Sequence, residues 1–100
     1  MALSLREGRV HRTETANTIA DGIAVRVPVP EALDDLEDVV DDVLLVKDDA
    51  IVEAMQLVFQ FHGLVLEPAG AAGVAAAMVF RDKFRGGRVA TLLSGGNTNL

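Results

Sequence analysis

The sequence predicts an α/β fold with a parallel sheet. Segments with the composition of strands alternate along the chain with segments of helical periodicity, as expected for that class. Near the end, Arg88–Leu93 contains a short apolar run, which is typical of a strand buried on both faces of a parallel sheet. Half of the 100 residues are hydrophobic, so one domain with a real core is expected.

The first part of the chain is predicted to be mostly irregular. Residues 1–22 are polar without a clear period, and we expect a loop with a short helical start. Ile23–Pro28 alternates weakly and stops at a proline, so it is at best a short strand. A helix is expected from Pro30, since proline suits a first helical turn. Its inner stripe is predicted to be Leu33, Leu36, Val39 and Val40.

The middle of the chain predicts a strand followed by a helix. The strand is Asp41–Val46, and the helix begins with Asp48 or Asp49 as its cap and Glu53 about one turn later. It runs to about His62, where Gly63 ends it. One face is predicted to consist of Ile51, Val52, Met55, Val58, Phe59 and His62.

A second long helix is predicted at Ala69–Phe80, after the short extended piece Leu64–Leu66 and with Pro68 in its first turn. This helix carries no charged or polar side chain, and a helix that is apolar all round is expected to be buried all round. One hundred residues can hardly surround it. We therefore expect either a piece of a larger layered domain or an obligate homo-oligomer.

Composition argues against several classes of partner. The net charge is −6 and the acids concentrate between residues 31 and 49, so nucleic acid is not expected to bind. The chain has no cysteine, which excludes disulfides and thiolate catalysis. Neither a signal peptide nor an apolar stretch of membrane-spanning length is found, so no membrane partner and a cytoplasmic location are expected. The acidic cluster lacks a calcium-loop pattern, and no metal site is predicted.

The turn after the last apolar run is the best candidate site. Ser94 follows the run and is followed by Gly95 and Gly96. Ligands of open α/β sheets lie outside the carboxyl ends of the strands. There the Ser94 hydroxyl would form a hydrogen bond with a ligand, and Gly95 and Gly96 would let the ligand come close to the backbone. A glycine-rich turn without a ligand is the alternative.

Three segments together resemble one family: Thr18–Val25, Leu66–Ala72 and Leu93–Asn97. Their order and spacing are similar to the carboxyl-terminal part of the catalytic domain of threonine dehydratases (threonine ammonia-lyases), with serine dehydratases and serine racemases as relatives. The resemblance implies part of a tryptophan-synthase-β-like (fold type II) three-layer domain and the cofactor pyridoxal 5′-phosphate. It covers the chain from about Thr18 to Asn97.

The resemblance also implies roles for individual residues. Ser94 matches the serine whose hydroxyl bonds to the pyridine nitrogen of the cofactor, where a neutral group need not keep that nitrogen protonated. Glu67 matches a glutamate near the ring, although an acid at a helix start is the simpler interpretation. Gly22 matches a loop beside the ring, and Gly95 lies next to the serine. These four are the predicted cofactor-binding residues.

Other parts of the family pattern are missing. The Schiff-base lysine and the glycine-rich phosphate loop lie upstream in the family, and neither Lys47 nor Lys83 has the family's surrounding sequence. No catalytic residue is therefore predicted within this chain. Residues 1–100 are expected to be a carboxyl-terminal fragment that needs the missing amino-terminal part of the enzyme for activity.

Two functions remain open from the sequence. The first is part of a lyase that converts threonine or serine, a small-molecule amino acid, to a 2-oxo acid and ammonia. The choice between these substrates, and between elimination and racemisation, is not decided. The second is a small non-catalytic α/β module that self-associates through its apolar helix.

Overall fold

Helices dominate the computed structural model, which describes residues 1–99. The elements are α1 (Ala2–Glu7), a 3₁₀ turn (Asp21–Ile23), α2 (Pro30–Glu37), α3 (Asp48–His62), α4 (Pro68–Val79) and α5 (Arg81–Phe84). These residues form two units. One unit contains residues 1–17 and 24–45, and the other contains residues 18–23 and 46–99.

The predicted strands are not formed within residues 1–99. Ile23 ends the 3₁₀ turn, and residues 24–28, 41–46 and 88–93 are irregular. Residues 1–99 do not by themselves provide the burial predicted for Arg88–Leu93, because Leu92 is 88% exposed among them. A strand needs a neighbouring strand for its backbone hydrogen bonds. The last segment instead lies beside α4 and has no strand partner among these residues.

The first unit is organised by α1 and α2. Ser4 of α1 is fully buried, and its hydroxyl accepts a hydrogen bond from the main-chain N–H of His11 at 2.8 Å. Helix α2 begins at Pro30, as predicted, and buries Leu33. It ends at Glu37, so Val39 lies beyond it and is 72% exposed, which makes the prediction of Val39 as an inner residue wrong.

Helix α3 has the predicted extent and the predicted end. Gly63 adopts a left-handed conformation (φ 66°), which glycine reaches without a steric penalty. The predicted capping by Asp48 or Asp49 is wrong, because Lys47 occupies the cap position and both acids lie in the first turn. The Asp48 carboxylate bonds instead to the segment at Thr18.

Small residues allow α3 and α4 to pack closely. Ala54 of α3 and both Ala71 and Ala75 of α4 have no exposed surface, and Ile51 is 2% exposed. Helix α4 is not buried all round by residues 1–99, however, since Val79 at its end is exposed. No helix in this part of the chain combines the length and the apolar character needed to cross a membrane.

Candidate functional site

Glu67 stands at the cap position of α4, and Pro68 is the first helical residue. The extended backbone of Glu67 (φ −71°, ψ 158°) and the fixed φ of the proline start the helix here. Its half-buried carboxylate makes no capping bond to the helix. The simpler interpretation of Glu67 as a helix-start acid therefore accounts for its position but not for its contacts.

The Glu67 carboxylate is enclosed by the turn that follows Ser94. The main-chain N–H of Glu67 donates to the carbonyl oxygen of Gly95 at 3.1 Å. The main-chain N–H of Asn97 donates to Glu67 Oε2 at 3.3 Å. Glu67 thus holds the turn Ser94–Asn97 from both its backbone and its side chain.

Gly95 is required in this turn for two reasons. Its backbone is in the left-handed region (φ 73°), which residues other than glycine rarely adopt. In addition, a Cβ at this position would lie 2.5 Å from each carboxylate oxygen of Glu67. Gly95, which was predicted to let a ligand approach, thus also lets the Glu67 carboxylate lie against the turn.

The segment before the turn lies directly on α4. A Cβ at Gly70 would overlap the carbonyl oxygen of Ser94 and lie 2.8 Å from its carbonyl carbon. One helical turn later, a Cβ at Gly73 would lie 3.1 Å from Thr91 Cβ. Two glycines three residues apart therefore form the helix face on which the segment rests.

Gly22 completes the cluster from a third segment. It lies in the 3₁₀ turn, where an added Cβ would lie 3.1 Å from Ala69 Cβ and 3.7 Å from Glu67 Oε1. The structure thus brings together Gly22, Glu67, Ser94 and Gly95, the four predicted site residues.

The Ser94 hydroxyl is open to a ligand. Ser94 is exposed, and within residues 1–99 its hydroxyl makes no hydrogen bond. The following residues, Gly95 and Gly96, add no side chain beside it. A neutral hydroxyl on this glycine-bordered turn can both donate and accept a hydrogen bond.

Two features of the site were not anticipated from the sequence. One is the packing of Ser94 on Gly70, for which the glycine pair in an otherwise apolar helix was a signal. The other is the bond from the backbone of Asn97 to Glu67, which no side-chain pattern encodes.

Comparison with known proteins identifies the family. A family model described as pyridoxal-phosphate dependent enzyme matches residues 1–95. The chain belongs to this family. The family and the pyridoxal-phosphate cofactor expected from the resemblance are thereby confirmed.

The relatives of this chain carry the names of enzymes that act on amino acids. The L-threonine ammonia-lyase of Thermotoga maritima is 38% identical over 100 residues, which cover 100% of this chain and 25% of the relative. The threonine deaminase of T.th. is similar in structure, with a TM-score of 0.91 and 34% identity over 99% of this chain and 33% of its own. Maize serine racemase is similar in structure, with a TM-score of 0.88 and 34% identity over 99% of this chain and 32% of the racemase chain.

The chain spans about a quarter to a third of the length of these relatives. Its fold is that of the matching part of two solved family members. The parallel sheet and the cofactor roles of Ser94, Glu67, Gly22 and Gly95 stay predictions.

Proposed function

We propose that residues 1–100 are the carboxyl-terminal part of the catalytic domain of a pyridoxal-phosphate-dependent threonine or serine ammonia-lyase, which forms a 2-oxo acid and ammonia. Family membership and the named ammonia-lyase relative support the reaction class. The observation that carries the proposal is the free Ser94 hydroxyl on a turn fixed by Glu67 and Gly70.

The residues present fit the ring-nitrogen edge of the cofactor. When bound, pyridoxal phosphate supplies an electron sink for negative charge at the substrate Cα. In the proposal the Ser94 hydroxyl would hold the pyridine nitrogen by a hydrogen bond and would contribute no charge there. A neutral partner at that atom would suit elimination of the β-hydroxyl better than a carboxylate would.

Glu67 and Gly22 act around that hydroxyl. The Glu67 carboxylate orients the serine turn by accepting the Asn97 N–H. In the proposal this carboxylate would also lie near the ring. Gly22 leaves space beside Glu67, because a Cβ at this position would lie 3.7 Å from Glu67 Oε1. Gly95 adds no side chain beside Ser94, and the position of its missing Cβ is occupied by the Glu67 carboxylate.

The rest of the machinery is assigned to polypeptide outside residues 1–100. The covalent lysine and the phosphate loop belong there, so the chain alone is proposed to be inactive. The exposed apolar side chains of Val89, Leu92 and Leu93 support pairing of this segment with further strands of a parallel sheet. The exposed end of α4 supports additional cover by that polypeptide or by a second copy of the enzyme.

Racemisation of serine is the second candidate activity. It is favoured by the similarity to maize serine racemase, whose TM-score is close to that of the threonine deaminase. The two reactions share removal of the Cα proton and differ in whether the β-hydroxyl leaves or the proton returns. A residue on the opposite ring face, outside this chain, would decide between them.

The test uses the complete enzyme with cofactor, supplied with L-threonine or L-serine. We expect 2-oxo acid release, and we expect Ser94→Ala to change the cofactor absorbance and lower turnover about tenfold, since one hydrogen bond to the ring is lost. Thr91→Ala, which removes a hydroxyl from the same segment away from the turn, is the control. An unchanged spectrum and turnover in Ser94→Ala would contradict the assigned role.

A further inference from the structure

Asp48 connects the start of α3 to the segment that carries Gly22. Its Oδ1 accepts a hydrogen bond from Thr18 Oγ1 at 2.5 Å, and its Oδ2 accepts one from the main-chain N–H of Ile19 at 3.1 Å. Both Asp48 and Thr18 are half-buried. One carboxylate thus holds two consecutive residues, each through a different oxygen.

The connection continues along the backbone to the 3₁₀ turn. Thr18 Oγ1 accepts the main-chain N–H of Ala20 at 3.2 Å, and Ala20 is buried in the core of α3 and α4. The carbonyl oxygen of Ala20 then accepts the N–H of Ile23 at 3.1 Å, which closes the turn around Gly22. The position of Gly22 therefore follows from the residues that Asp48 fixes.

The Gly22 turn, to which this connection leads, has little space in which to move. An added Cβ at Gly22 would already lie 3.1 Å from Ala69 Cβ, so the turn runs close against the start of α4. A shift of the turn of less than an ångström would either press it onto Ala69 or open a gap beside Glu67. Because the site depends on spacing of this order, the anchoring of the turn matters to it.

We infer that Asp48 is a positioning residue, which sets the distance of the Gly22 turn from Glu67 by binding Thr18 and Ile19. Its importance for a cofactor rests on the proposed function, but the positioning itself concerns contacts within this chain. The carboxylate is suited to the task because two oxygens satisfy two donors, and charge-assisted hydrogen bonds are about twice as strong as neutral ones. Asp48 also lies in the first turn of α3, at the positive end of the helix dipole.

The chain offers a matched control in the next residue. Asp49 lies in the same helical turn and carries the same charge, but it is exposed, and among residues 1–99 its carboxylate accepts only the N–H of Ala50. Asp48→Asn and Asp49→Asn therefore remove the same charge from the same helix end. Only Asp48→Asn removes an acceptor from the Thr18 segment, because an amide retains a single acceptor oxygen.

The experiment is amide hydrogen exchange and ¹H–¹⁵N NMR on the complete enzyme prepared without cofactor. In Asp48→Asn we expect exchange at Ile19 and Ile23 to rise by ~10-fold or more and the Gly22 resonance to move, while the α3 core amide of Val58 keeps its protection. Asp49→Asn is expected to leave these amides unchanged. Thr18→Val, the milder variant if Asp48→Asn does not fold, is expected to reproduce the local change, and Thr18→Ser to restore the original pattern.

Two results would overturn the inference. One is an unchanged Gly22 resonance and unchanged Ile23 exchange in folded Asp48→Asn or Thr18→Val. The other is an equal loss of protection at Ile23 and Val58, which would mean that Asp48 only stabilises the unit as a whole. Because no cofactor is present, neither result depends on whether the proposed enzymatic function is correct.

Discussion

The main-chain N–H of Asn97 donates a hydrogen bond to Glu67 Oε2, across 30 residues of sequence. This bond joins the turn after Ser94 to the cap position of α4. It gives the Glu67 carboxylate a structural role in addition to any role toward a ligand. The serine hydroxyl is consequently presented by a turn whose two sides are both attached to the same helix start.

The first prediction concerns the space beside Glu67. Gly95→Ala should destabilise the turn by about 1–2 kcal/mol for its left-handed backbone and by more for the overlap with the carboxylate. Gly86→Ala is the control, because Gly86 has a similar φ of 79° and nothing within 4 Å of an added Cβ. Urea unfolding with the Asn97 amide as an NMR probe measures both effects. Equal losses in the two variants would show that Glu67 does not fill the space.

The second prediction concerns the helix face under the serine segment. Alanine normally stabilises a helix relative to glycine, by about 0.5–1 kcal/mol. Gly70→Ala should instead lower the free energy of unfolding by about 1–3 kcal/mol, because its Cβ meets the backbone carbonyl of Ser94. Gly73→Ala should cost less, since it meets the Thr91 side chain, which can rotate. A stabilised Gly70→Ala chain would contradict this packing.

The third prediction tests the core between α3 and α4. Ile51→Ala should lower the free energy of unfolding by about 2–4 kcal/mol, because Ile51 is 2% exposed. Val52→Ala, at the next position and 41% exposed, should cost less than about 1 kcal/mol. Urea unfolding followed by circular dichroism compares the two. Similar costs would place Ile51 outside the core.

The fourth prediction concerns the charge at the proposed ring nitrogen. Ser94→Asp in the complete enzyme should lower 2-oxo acid release about tenfold or more, because a carboxylate would keep the nitrogen protonated and strengthen the sink. Exchange of the substrate Cα hydrogen with deuterium oxide should rise relative to elimination. Thr91→Asp adds the same charge to the same segment and serves as the control. An unaltered ratio of exchange to elimination in Ser94→Asp would argue against the assignment.

The long helices were predictable because their signals are local. Pro30 and Pro68 mark helix starts and Gly63 marks a helix end, and each acts through its own backbone preference. The strands were not borne out within residues 1–99, because a strand depends on partners that lie elsewhere in a fold.

The site was predictable by resemblance but its internal bonds were not. Asp48 shows the reason. Its position at the start of an apolar helix predicted a capping residue, but its two carboxylate oxygens accept hydrogen bonds from Thr18 and Ile19, which lie 29–30 residues away in sequence. Likewise, the contact of Gly70 with Ser94 links residues whose proximity only the fold determines. Local patterns identify the residue types, and tertiary packing decides which groups they meet.

The central claim is that the Ser94 hydroxyl bonds to the pyridine nitrogen of the cofactor. The most direct measurement is the ¹⁵N chemical shift of pyridoxal phosphate labelled at that nitrogen and bound to the complete enzyme. The account predicts the shift of a neutral, hydrogen-bonded nitrogen, which moves toward that of an unbonded pyridine in Ser94→Ala and stays in place in Thr91→Ala. The same shift in the unsubstituted enzyme and in Ser94→Ala would contradict it.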